Sequence, residues 1–91
     1  MRHTKQARAL IVATHGVEQA ELEVPRNKLF AAGVEVVVAS PDGQAVRSWD
    51  EKDWGRTIPV NLRIADAEMD EYDALVIPGG VLNPDKRTIT P

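Results

Sequence analysis

The sequence predicts an α/β domain built on a parallel sheet, and three observations carry that expectation. Arg8 to Thr14, Val34 to Ser40 and Asp73 to Ile77 are short runs dominated by β-branched and aliphatic residues. They lack alternation, which is the pattern of strands covered on both faces. Between the first two runs lies a helix-like stretch ending at Gly33, a residue suited to the left-handed position just past a helix. Strand, helix and strand in that order make one right-handed βαβ unit.

The elements follow in chain order. The first strand breaks at His15-Gly16-Val17, and the helix runs from there to Ala32, with Leu22, Leu29 and Phe30 as core contacts. Pro25 suits only a first helical turn, so Glu18 to Val24 is either a separate turn or a kinked first half. The second strand is closed by Pro41-Asp42-Gly43, a turn sequence. Gln44 to Ser48 reads as a short strand, and Trp49 to Gly55 as an exposed loop pinned by its tryptophans. Ile58, Val60, Leu62 and Ile64 alternate with Pro59, Asn61 and Arg63, which predicts a half-exposed strand at a sheet edge. Ala65 to Tyr72 reads as one helical turn, and the strand from Asp73 stops at the sharp turn Pro78-Gly79-Gly80. From Val81 to Pro91 no periodicity survives.

At 91 residues the chain forms one domain at most, near the lower size limit for a single apolar core. Hydrophobic residues at 43% and charged residues at 27% are a globular composition. A net charge of -3 supplies no basic field for phosphate backbones, which argues against nucleic acid as a partner. The longest apolar runs, Ala9 to Ala13 and Val36 to Ala39, are far shorter than the roughly 20 residues of a membrane helix. The basic start is not followed by a cleavage site, which predicts a cytoplasmic protein. The absence of cysteine excludes disulfides, thiolate metal sites and thiol nucleophiles within these residues.

In a parallel sheet, ligands bind beyond the carboxyl ends of the strands, here the loops after Thr14, Ala39 and Ile77. Glu21 falls near the start of the helix, where a carboxyl group could project over the strand ends. Glu18 and Glu21 read equally as ordinary first-turn acids facing the helix dipole. His15 stands alone beside a glycine, a turn residue without the second ligand that a metal site needs, and no metal is expected. Gly79 and Gly80 let backbone amides turn toward a ligand as in an oxyanion hole, or simply make a tight turn. The first loop lacks Gly-x-Gly-x-x-Gly, paired aspartates and a flavin-type loop, so no cofactor is expected.

Taken together, Ala9-Leu10-Ile11-Val12, then Gly16 to Pro25, then Ala74-Leu75-Val76-Ile77-Pro78-Gly79-Gly80 resembles the PfpI family of the DJ-1/PfpI superfamily. Trp49-Asp50, Asp53-Trp54-Gly55 and Val81 to Lys86 are similar to a bacterial subgroup of intracellular proteases, stress proteins and protein deglycases. The likeness runs to about Asp85. It implies a flavodoxin-like, class I glutamine amidotransferase-like parallel sheet with flanking helices. In that family a cysteine nucleophile on a strained strand-to-helix turn is followed by a histidine. The resemblance assigns Glu21 as the carboxylate bonded to that thiol, and Gly80, supported by Gly79, as the oxyanion-hole amide. Asp85 is the nearest match to an acid that orients the histidine across a subunit contact.

The family's Cys-His pair has no counterpart in this sequence. Residues 1–91 therefore read as the amino-terminal portion of a single domain of this kind, incomplete, truncated or degenerate, and inactive alone. Such a chain would leave an unpaired edge beside Leu75, Val76 and Ile77, with homo-oligomerisation or edge association as the consequence. A small carbonyl compound or a peptide is the expected ligand. The alternatives are a non-catalytic binding or assembly module that pairs with another chain, and a gene fragment with no role.

Overall fold

A computed structural model describes residues 6–78, together with the backbone of residues 80–82 and 88–89. The elements are β1 (Arg8–Val12), α1 (Gln19–Ala31), β2 (Glu35–Ser40), β3 (Val46–Asp50), β4 (Asp53–Ile58), β5 (Leu62–Arg63), β6 (Ala74–Ile77), β7 (Gly80–Leu82) and β8 (Thr88–Ile89). Short 3-10 turns at Ile64–Asp66 and Met69–Glu71 precede β6. The main sheet has the order β5-β2-β1-β6-β7-β8, and β3 and β4 form a separate hairpin. The strands from β5 to β6 are parallel, whereas β7 and β8 are antiparallel additions. An α/β architecture with a parallel sheet is thus established, with α1 on one face.

Register explains the core. Ala9, Ile11, Val36, Val38, Ala74 and Val76 stand side by side across the central strands. Of these, Ile11, Val36, Val38 and Val76 pack with Leu22 and Leu29 of α1 and with Val46 and Ile58 of the hairpin. The alternate residues Leu10, Val37, Ala39 and Leu75 form a second cluster with Leu62, Ile64 and Tyr72. The helix keeps its course through Pro25 because Leu22 and Leu29, one on each side of the proline, both hold to this core. Phe30, expected inside, is 76% exposed. Residues seven apart share a helix face, so the Leu22–Leu29 stripe leaves the next residue about 100° round toward solvent. The helix ends in a Schellman motif: the Val34 and Gly33 amides donate to the Leu29 and Phe30 carbonyls at 3.0 Å each, with Gly33 at φ 84°.

Other expectations need correction. Trp49 to Gly55 is no loop: β3 and β4 pair through it, and the ring centroids of Trp49 and Trp54 lie 5.3 Å apart at 84°. The alternating segment from Ile58 to Ile64 yields only a two-residue edge strand, because Ile58 belongs to β4 and Pro59 has no amide to donate. Asn61 extends the edge by other means. Its amide donates to the Val38 carbonyl at 2.8 Å, and its Oδ1 accepts the Val38 amide at 2.7 Å. Ala65 to Tyr72 holds two brief 3-10 turns in place of one helical turn. The edge beside β6 is not open, since β7 folds back along it with Ile77 opposite Gly80, and β8 follows. The chain after Pro78 therefore carries strand pairing that its weak periodicity concealed.

Candidate functional site

The carboxyl ends of β1 and β6 meet the first turn of α1 in a shallow depression of about 360 Å³, lined among others by Thr14, Gly16, Glu18, Glu21, Ile77 and Pro78. Its position follows from the topology: β1 lies between β2 and β6, and α1 leaves the sheet at the tip of β1. Glu21 is in the first turn of α1, where the helix dipole favours a carboxylate. Pro25 removes the amide that would otherwise bond to the Glu21 carbonyl one helical turn back. Gly80 opens β7 directly across from Ile77. Gly79 and Asp85 lie outside the described residues, as does the side-chain region beyond Pro78.

The loop from His15 to Glu18 is bound along its length to the hairpin. The Gly16 amide donates to the Arg47 carbonyl at 2.9 Å, and the Trp49 amide to the Val17 carbonyl at 2.8 Å. His15 Nδ1 accepts the Arg47 amide at 3.1 Å, so the proton of the neutral ring sits on Nε2. Gly16 takes φ 84°, a conformation that a side chain would resist. Among the described residues no group of three His, Asp or Glu side chains is placed to hold a metal ion.

Sequence reasoning missed three residues here. The pairing of β3 with β4 slips by one position between Arg47 and Trp49, a bulge that sets Ser48 against both Gly55 and Arg56. Gln19 fills it: its Oε1 accepts the Arg56 amide at 2.7 Å and the Ser48 hydroxyl at 3.0 Å. Ser48 also lies 2.8 Å from the Arg56 carbonyl and is fully buried. A Cβ on Gly55 would collide with Gln19 Oε1 and come within 2.9 Å of Ser48 Oγ. A glycine directly after the second tryptophan was the available signal, but it points to no partner by itself. At the turn after β2, Asp42 accepts the Gln44 amide at 3.0 Å, and this bond holds its carboxyl below the usual range against a smaller desolvation effect.

The chain matches the family described as DJ-1/PfpI over residues 7–90. It is 36% identical over 73 residues to a deglycase of Thermococcus kodakarensis, covering 80% of this chain and 42% of that protein. A deglycase of Pyrococcus abyssi is 37% identical over the same length, with the same coverage. Among solved structures, a DJ-1 superfamily protein from Agrobacterium tumefaciens superposes with a TM-score of 0.71 at 28% identity, over 81% of this chain and 38% of that one. The chain thus spans about two-fifths of the length of the curated relatives it matches. No helix among the described residues is long and apolar enough to cross a membrane. Matched to the family over residues 7–90 and superposing on a solved structure of the superfamily, the chain belongs to the DJ-1/PfpI family.

Proposed function

We propose that these residues form the carboxylate and backbone-amide side of a deglycase-type site, acting on a small carbonyl compound or a peptide-borne carbonyl. The observation that carries the reading is that Glu21 and the Ile77-Pro78 end of β6 line one depression, in a chain 36% identical to a deglycase. In this reading Glu21 accepts a hydrogen bond from the attacking thiol, Gly80 donates its amide to the oxygen that gains charge, and Asp85 orients the histidine. The 91 residues contain no cysteine, so the thiol comes from elsewhere and these residues alone are inactive. Glyoxal and peptide turnover by a homogeneous preparation of the 91-residue chain tests this. No turnover above buffer is expected, and measurable turnover would overturn the inactive reading.

A second reading, a module that works by association, draws on Phe30 at 76% and Ile77 at 42% exposure. In this reading each of these side chains is covered by self-association or by pairing with another chain. Sedimentation at micromolar concentration is expected to show oligomers. A compact monomer with cooperative melting would count against it.

A further inference from the structure

We propose that Gln19 is a positioning residue for Glu21: its carboxamide, seated in the hairpin bulge, fixes the rotational setting of the first turn of α1 over the strand tips. The inference deepens the reading above and rests on it for the role of Glu21 alone. Residues two apart on a helix point about 200° from each other. Gln19 facing the hairpin therefore turns Glu21 away from it, while Leu22 enters the core fully buried. Glu23, one turn on from Gln19, repeats the hairpin contact, with Arg56 Nη1 3.8 Å from its carboxylate. The bulge leaves the Arg56 amide without a ladder partner on β3, and Gln19 Oε1 takes that bond at 2.7 Å. Gly55 keeps the seat open, since any side chain there would displace the carboxamide. Glu18, at the N-cap position, makes no side-chain cap bond. The main-chain bonds of Gly16 and Val17 to the hairpin bring the loop to the start of α1, and Gln19, a side chain that points away from the site it serves, sets the rotation of the turn that follows.

The test needs no substrate. Gln19→Met keeps the bulk and removes the acceptor, whereas Gln19→Glu keeps the acceptor. In the Met variant of the 91-residue chain, hydrogen exchange at the Arg56 amide is expected to quicken about tenfold. The Glu21 carboxyl carbon is expected to move in the NMR spectrum, and Gln19→Glu to restore both signals. Arg56 exchange that stays unchanged in Gln19→Met overturns the proposal. So does a Glu21 signal that holds its place while the Arg56 amide opens, or a Glu variant that restores neither. Should Gln19→Met fail to fold, Ser48→Ala removes the weaker of the two bonds to Oε1. A smaller Glu21 displacement in the same direction then supports the proposal, and an unmoved Glu21 sinks it. A chain with no turnover can pass this test, and one that turns over glyoxal can fail it, so the two readings stand or fall separately.

Discussion

The hairpin bulge and the amino end of the sheet are stabilised by different chemistry. In the bulge, beside the depression, the main contacts are neutral and sealed: Gln19, Ser48 and the Arg56 backbone interlock, and Ser48 is wholly buried. At the amino end the contacts are ionic and wetter. Arg8 lies 3.4 Å from Glu35 and 3.2 Å from Glu71, and its guanidinium carbon sits 4.9 Å from the centre of the Tyr72 ring. Exposed ion pairs gain little because water and salt screen them. Buried neutral hydrogen bonds are costly to leave half made. The difference teaches that the bulge beside the candidate site is held by neutral groups, while the largely exposed carboxylates at the amino end add little to stability.

The largest effect is expected from Gly55→Ala, whose new Cβ would overlap Gln19 Oε1. Displacing that carboxamide breaks its bonds to the Arg56 amide and the Ser48 hydroxyl and costs about 2 kcal/mol, read as a lower urea midpoint with an unchanged slope. Ser48→Val should cost about 1–2 kcal/mol by leaving the buried bulge one donor short. Glu71→Gln, at the other end, is expected to leave the midpoint nearly unchanged, and wholly so at high salt. A large loss there would erase the contrast.

Acidification sharpens it. The bond from the Gln44 amide holds the folded pKa of Asp42 below its unfolded value. The stabilisation is therefore fully present above the unfolded carboxylate range and is lost as pH falls through the lower, folded value. NMR titration should show Asp42 below the ordinary range, and Asp42→Asn should flatten that part of the acid-unfolding curve. A small gain is expected at the hairpin tip, where Glu51 holds φ 58°. Glu51→Gly relieves that left-handed conformation and should stabilise by about 0.5 kcal/mol.

The central strands were legible because a strand buried on both faces needs an uninterrupted apolar run, and Arg8–Val12, Glu35–Ser40 and Ala74–Ile77 supply one each. The helix end was legible because Gly33 serves a backbone need that is local in sequence. The hairpin was hidden for the opposite reason. Its buried positions include Ser48 beside Val46, so a hydrophobic pattern does not mark them. Glu21 could be placed from its position at the start of a helix. Gln19 could not, because its partners are 29 and 37 residues away and a neutral amide announces no destination. Phe30 shows the converse error, an aromatic residue at a plausible spacing that the phase of Leu22 and Leu29 turns outward.

Asn61 has a consequence for the behaviour of the chain in concentrated solution. By engaging both main-chain groups of Val38, it withdraws the middle of β2 from recruitment by a stray strand, which is how fibrils begin at bare sheet borders. A single asparagine, through its backbone amide and its side-chain oxygen, thus does at Val38 what one residue of a neighbouring strand would do, and Asn61→Ala would hand one unsatisfied donor back to the crowd.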